Sequence, residues 1–363
     1  MKYSKEELLV IWLDSFEDID YKQKTELLDA FSGKSDIKEV IERGKADIIR
    51  SLGETGYNRL HNSTNKEYLF SVLEQLSKAN ERAITIYSTD YPALLRETNI
   101  PPLVLYARGN TDLLKDEIIG VVGSRKSIPI SLALAKDFSA ELSDAGFTLC
   151  TGTAEGVDSE VIKATLNSGK IISVSASGFN KIYPASNTSL IDKVAECGLC
   201  ITEHREDVQA KPFFFPIRNR IIAGISQGVL AVNGKMKSGV MHTAAYCLDY
   251  GRDLFAIPYS PNVESGKGTN YLIKNGANLV DSAKDILLFY GKATEIVENS
   301  DFSPEETEII NALKENSLHI EKLAEITGKQ VYELTPTLTV LEIKGVIYKD
   351  DINSYGLTRN SEA

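Results

Sequence analysis

Arg218 and Arg220 flank Asn219 directly after a run of aromatics, in Phe213-Phe214-Phe215-Pro216-Ile217-Arg218-Asn219-Arg220. The apolar run Ile221-Ile222-Ala223-Gly224 follows at once. These cations therefore stand where the chain enters a core, and a buried guanidinium is costly unless it has a partner. Phosphate is one such partner, because a guanidinium donates two parallel hydrogen bonds to it. An arginine–carboxylate clasp inside the fold is the other. The surrounding charge favours an external anion. From Lys211 to Arg252 there are six basic residues and one acidic residue, Asp249, within a chain of formal net charge −11. A local positive field on an acidic background points to a focused anion site rather than a general basic coat.

A second anion site is legible at Ile118-Ile119-Gly120-Val121-Val122-Gly123-Ser124-Arg125-Lys126. The apolar run reads as a buried parallel strand. Gly123 allows a tight turn, and a helix is expected from about Ile128 to Ala145. Strand, glycine turn and helix together aim backbone N–H groups at a phosphate. Arg125 and Lys126 add charge. The glycine pattern is not a complete GxGxxG, so an ordinary strand-to-helix turn remains the alternative.

Other candidates carry less. Glu264-Ser265-Gly266-Lys267-Gly268-Thr269 resembles a phosphate loop, but Pro261 stands where the first glycine belongs and Gly268 follows the lysine. ATP hydrolysis is disfavoured on that ground. His204 and His242 have acid–base chemistry but no carboxylate partner at useful spacing. Cys197 and Cys200 have CxxC spacing, but with no second pair zinc is disfavoured; Cys150 and Cys200 end apolar runs and read as buried strand positions, and the four cysteines fit a reducing compartment. Phe213-Phe214-Phe215 reads first as core packing, and one of its rings, Phe215 among them, has the shape to stack on a base. No cofactor or metal is expected.

The elements that must position these residues alternate strand and helix from about 82 to 290. Strands are expected at Ala83–Tyr87, Val104–Arg108, Ile118–Val122, Phe147–Thr151, Ile171–Ser175, Leu199–Thr202, Gly228–Val232 and Asp253–Ala256. Their spacing implies an α/β fold with a Rossmann-like doubly wound parallel sheet. Right-handed crossovers bring the turns after the strands to one edge, so Gly123, Gly152, Gly178 and Ser238 are expected to line one cleft. Residues 1–80 read as an all-helical domain, with helices at Lys5–Trp12, Tyr21–Phe31, Ile37–Arg43, Ala46–Gly53 and Lys66–Ala79. Residues 291–303 read as a linker. Residues 304–363 show three helical stretches, Pro304–Lys314, Ile320–Thr327 and Val331–Lys344, and a hairpin-like end at Val346–Thr358, a winged-helix-like pattern. From Asp301 to Ala363 twelve acidic residues face six basic ones, and the recognition helix holds Glu333 and Glu342 against one lysine, Lys344. Such a helix repels duplex DNA, so a protein-binding, dimerising or regulatory role is expected for it. No apolar run approaches the length of a membrane span, and the N-terminus does not read as a signal peptide.

Over roughly residues 88–290 the motifs and their order resemble the DNA-processing protein A (DprA/Smf) family. The resemblance rests on Tyr91-Pro92-Ala93-Leu94-Leu95, Pro101-Pro102 through Arg108-Gly109, Val122-Gly123-Ser124-Arg125 and Thr151-Gly152-Thr153-Ala154-Glu155-Gly156-Val157-Asp158. It continues through Gly178 with Tyr183-Pro184, Arg218-Asn219-Arg220, Lys237-Ser238-Gly239 and Gly268-Thr269-Asn270 to Gly276-Ala277. It implies a cytoplasmic, homodimeric single-stranded-DNA-binding protein without chemistry that helps load a RecA-type recombinase in DNA uptake, natural transformation and recombination. It also implies a sterile-alpha-motif-like fold for the N-terminal helices. DNA or phosphate would be held at Gly123, Ser124, Arg125, Gly152, Lys170, Phe215, Arg218, Asn219, Arg220, Lys237, Ser238 and Gly239. The fold is similar to that of nucleotide phosphoribohydrolases too. Their glutamate-bearing signature is missing from Lys235-Met236-Lys237-Ser238-Gly239, yet Asp158 and Glu203 leave nucleotide binding or N-glycosidic hydrolysis as the alternative. The chain departs from the family pattern at Glu155, Val161, Ile162, His204-Arg205, Asn233 and Tyr259, and Glu155 puts a repelling charge where the family carries arginine.

Overall fold

The computed structural model describes residues 3–31, 37–292, 302–313, 317–343, 346–349 and 353–357. Most of the linker read at 291–303 lies outside the described residues, as do Lys314, Lys344 and Thr358. The chain divides into two compact units, Met1–Phe289 and Tyr290–Ala363.

Five helices open the first unit: α1 (Lys5–Asp14), α2 (Tyr21–Ala30), α3 (Ile37–Arg43), α4 (Lys45–Asn62) and α5 (Lys66–Lys78). Ser4, Asp20 and Asn65 start α1, α2 and α5, each side chain accepting from a backbone N–H of the first turn, which supplies the partner that a helix N-terminus lacks. Trp12 anchors the group. It is fully buried, and its indole N–H donates to the Ser63 carbonyl at 3.1 Å. Burying a ring of that size contributes about 4 kcal/mol.

The sheet follows: β1 (Arg82–Thr85), α6 (Ala93–Arg96), β2 (Val104–Gly109), β3 (Ile118–Val122), α7 (Pro129–Asp144), β4 (Thr148–Thr151), α8 (Val157–Thr165), β5 (Ile171–Ser175), α9 (Thr188–Cys197), β6 (Leu199–Thr202), α10 (Phe214–Ile225), β7 (Gly228–Ala231), α11 (Gly239–Asp249), β8 (Asp253–Ala256), α12 (Lys267–Lys274), β9 (Asn278–Leu279) and α13 (Ala283–Phe289). The spatial order is β1-β2-β6-β5-β4-β3-β7-β8-β9. Strands β3 to β9 pair in parallel, and the β1–β2 hairpin adds antiparallel to β6. Every residue of β3 and β5 is buried, as a parallel strand covered by helices on both faces requires. α7 packs on α8, and α10 packs on α11. The crossovers through α7 and α11 run in opposite directions along the sheet, which sets these two pairs on opposite faces. The helical group lies against the hairpin edge, where the Tyr106 hydroxyl donates to Asp14 at 2.8 Å and Lys24 pairs with Asp14 at 3.0 Å.

The second unit contains α14 (Pro304–Ala312), β10 (Leu318–His319), α15 (Ile320–Thr327), α16 (Val331–Ile343), β11 (Ile347–Lys349) and β12 (Ser354–Leu357). Its three strands run in the order β10-β12-β11. Leu323, Leu334, Leu338 and Leu341 meet Ile309, Ile347, Tyr355 and Leu357 in a core of its own. This is a winged helix.

Four expected strands, Ile118–Val122, Ile171–Ser175, Leu199–Thr202 and Asp253–Ala256, keep their bounds, and the other four shift by one or two residues at their ends. β9 has no counterpart among the expected strands. It is two residues long and exposed, and only its pairing with β8 makes it a strand.

Candidate nucleic-acid interface

Strand order reverses at β3, which has β4 on one side and β7 on the other. The connections after β3 and β7 therefore part at the carboxyl ends of the strands and leave a crevice. A cleft of about 870 Å³ opens there. Arg125 and Lys126, after β3, and Lys235 and Lys237, after β7, line it. All four are exposed. Pro212, Phe215 and Pro216 form a wall. The Arg125 guanidinium lies over the Phe215 ring at 4.5 Å, and Tyr183 meets that ring edge-on at 5.7 Å. A cation held against an aromatic face beside a groove suits a nucleic-acid strand, since both phosphates and bases find a partner.

The floor is Arg218 and Asp158. Arg218 is only 4% exposed. One guanidinium nitrogen donates to the Val174 carbonyl, and Nε donates to Asn219 at 3.1 Å. Burial lowers its pKa, opposed by the Asp158 charge. Burial likewise raises the pKa of Asp158, opposed by Arg218. Gly152 sits behind this pair. A methyl group on it would lie 2.3 Å from both Arg218 and Asp158, so glycine is required there for packing rather than for contact with a ligand. Asn219 donates to the Gly239 carbonyl at 3.2 Å and ties α10 to the start of α11. Ser238 and Gly239 line the cleft at that helix start. The Ser238 hydroxyl is buried without a hydrogen-bond partner among the described residues.

Several expected site residues stand elsewhere. Arg220 is turned away from the cleft and its guanidinium is held by Glu203; this is the carboxylate clasp. Lys170 precedes β5, at the opposite edge of the sheet, where it donates to the Gly146 carbonyl at 3.1 Å. Gly178 does not line the cleft, because the Arg205–Glu206 backbone closes over it, with the Arg205 oxygen 2.0 Å from where a side chain would begin. Two amides of the Gly123 turn are occupied internally. The Ser124 N–H donates to Asn233 at 2.9 Å, and the Lys126 N–H donates to the Ser124 hydroxyl at 3.2 Å. Ser124 and Gly123 do line the cleft, but charge there comes from Arg125 and Lys126.

Lys126, Lys235, Tyr183 and His242 also line it. The two lysines are visible in the sequence as part of its local positive charge. Tyr183 has no signal there beyond its place before Pro184. His204 is largely buried, with its ring 4.3 Å from that of Phe214, and burial holds its pKa below the usual imidazole range. The unfolded chain therefore takes up that proton first as pH falls. Its contribution to stability is complete above an unperturbed value of about 6.5 and is lost as pH drops through the folded value. Replacing His204 with Phe should make the melting temperature fall less between neutral and mildly acidic pH. An unchanged pH profile would show that His204 does not titrate on unfolding.

The sequence model for the family described as DNA recombination-mediator protein A matches residues 82–291, more than half of the chain. The chain belongs to this family. The family's DprA winged helix domain matches residues 298–349. DNA processing protein DprA of Bacillus subtilis is 36% identical over 59% of this chain and 73% of its own length. Protein Smf of Synechocystis is 33% identical over 67% of this chain and 62% of its own length. Among solved structures, DNA processing protein A of Streptococcus pneumoniae superposes with a TM-score of 0.67 at 28% identity, covering 79% of this chain and 98% of that one. DNA processing protein A of Helicobacter pylori, described for its single-stranded DNA binding mode, gives a TM-score of 0.53 at 28% identity over 58% of this chain and 96% of that one.

The departures from the DprA pattern have structural partners. Asn233 is fully buried and braces the Gly123 turn through Ser124 and Ser127. Val161 and Ile162 are fully buried in α8. The Tyr259 hydroxyl meets that of Ser131 at 2.8 Å. Glu155 is exposed and accepts from the Ser186 hydroxyl at 2.9 Å.

Proposed function

We propose that this protein binds single-stranded DNA in the cleft between the β3 and β7 turns and serves DNA processing by delivering that strand to a RecA-type recombinase. The observation that carries the reading is four exposed cations around an aromatic-walled crevice, at the switch point of a parallel sheet. The Helicobacter pylori relative is described for binding single-stranded DNA, and the Bacillus subtilis relative is named for DNA processing. Recombinase loading, a homodimer, action in the cytoplasm and a role in natural transformation follow from the family resemblance. The same reading assigns residues 1–80 to a helical domain, 81–290 to DNA binding and 304–363 to the winged helix. No described helix is long and apolar enough to cross a membrane.

The test is a titration of labelled single-stranded oligonucleotide across salt concentrations, beside free nucleotides, with products analysed for released base. Log affinity should fall with log salt at about −0.7 per phosphate contacted. A flat salt response, with free nucleotide binding as well as the oligonucleotide, would place a small molecule in the cleft. One observation favours that second reading. Asp158 lines the cleft and its carboxyl is pushed toward the protonated form by burial, as a general acid requires. Glu203 has no such place, because it holds Arg220. Release of free base that stops in Asp158→Asn would establish hydrolysis.

Glu155 offers a gain-of-binding test. It follows Ala154, which lines the cleft, and its side chain is exposed. Glu155→Arg replaces repulsion of phosphate by attraction and should tighten single-stranded DNA binding at low salt by about threefold to tenfold. Unchanged affinity would place Glu155 off the path of the strand.

A further inference from the structure

The second unit presents a surface whose chemistry is opposite to that of the cleft. α16 buries Leu334, Leu338 and Leu341 on one face. The other face is apolar too. Tyr332 is 74% exposed and Ile343 is 81% exposed. They are three turns apart, which places them on one line along the helix, about 16 Å from end to end. Thr335, Pro336 and Thr339 fall between them on the same face, all exposed. At 100° per residue, Glu333 lies on one flank of this line and Glu342 on the other. Val340 and Val331 are exposed beside the glutamates.

This face is not built for DNA. α16 contains no lysine or arginine, and phosphate contacts carry most nucleic-acid affinity. The lysines of the neighbouring segment are already paired, Lys322 with Glu325 at 2.6 Å and Lys329 with Glu308 at 3.3 Å. Residues 301–363 carry twelve acidic against six basic residues. Exposed large apolar side chains grouped on one face mark a protein contact, and tyrosine is a frequent anchor in such contacts. The acidic flanks select the charge of the partner. We infer that the outer face of α16 docks a basic amphipathic protein segment. Tyr332 and Ile343 anchor its apolar side, and Glu333 and Glu342 pair with its lysines or arginines.

The test uses the full chain and three labelled synthetic helical peptides: one of leucine and lysine, one with glutamate in place of lysine, and one with serine in place of leucine. The leucine–lysine peptide should bind, and the other two should bind more weakly. The double variant Tyr332→Ser with Ile343→Ser should weaken its binding about tenfold or more. Glu333→Gln with Glu342→Gln should flatten its salt dependence. Both anchors are exposed, so the melting temperature of the double variant should match that of the parent and exclude unfolding as the cause. Peptide binding that neither double variant changes overturns the proposal. So does binding of a short DNA duplex that disappears in the Tyr332/Ile343 variant, which would make α16 a DNA reader. Self-association that disappears in that variant would identify a second copy as the occupant instead, and also overturns it.

Discussion

Alanine at Arg125, Lys126, Lys235 and Lys237 together is expected to reduce affinity for single-stranded DNA by about a thousandfold at low salt, if each cation–phosphate pair is worth about 1 kcal/mol. The reasoning is local. These four are the exposed cations of the cleft, so they bind without the desolvation cost that buried Arg218 would meet. The slope of log affinity against log salt should shrink in magnitude by about 3, at about 0.7 for each phosphate no longer neutralised. Arg125 should carry the largest single share, because the Phe215 ring beneath its guanidinium holds that charge in place at the cleft. Thermal stability should stay within about 1 kcal/mol of the parent, since exposed charges contribute little to folding. An affinity within about threefold of the parent would show that the strand runs elsewhere, because even one phosphate interaction is worth more than that.

Arg220→Ala is expected to behave in the opposite way, with a large drop in stability and little change in affinity per folded molecule. Arg220 is 4% exposed, and its partner Glu203 would be left as an uncompensated, largely buried carboxylate. Breaking such a pair costs about 3 kcal/mol, roughly 5 °C or more in melting temperature for a unit of this size. The pair is not fully satisfied even now. One Arg220 nitrogen and one Glu203 oxygen have no hydrogen-bond partner among the described residues. Replacing both residues by apolar ones of similar volume, Arg220→Met with Glu203→Leu, should therefore recover most of the stability. A single variant that keeps its melting temperature but no longer binds DNA would return Arg220 to the site.

The fate of the two arginines shows where reading the chain in one dimension stops. The apolar runs at Ile118–Val122 and Ile171–Ser175 define strands on their own, because a strand buried on both faces needs an unbroken apolar sequence. Strands alternating with helices then imply a parallel sheet whose turns share an edge, which places Gly123, Arg125, Lys237 and Ser238 near one another. The excess of positive charge from Lys211 to Arg252 marks the same region. Side-chain direction is not contained in that pattern. Arg218 and Arg220 stand on one helix, α10, and two residues on a helix are about 200° apart, so when one faces the cleft the other must face the opposite side. Lys170 has the right charge but precedes its strand, and a parallel sheet sends the two ends of a strand to opposite edges. Gly152 and Gly178 follow their strands as expected, yet the buried Arg218 and Asp158 side chains and a passing backbone claim the space beside them. Composition and periodicity determined the fold and the edge where a ligand would lie. Which cations stay free to meet it depends on which buried carboxylates and carbonyls the packed chain brings within reach, and those partners are distant in sequence.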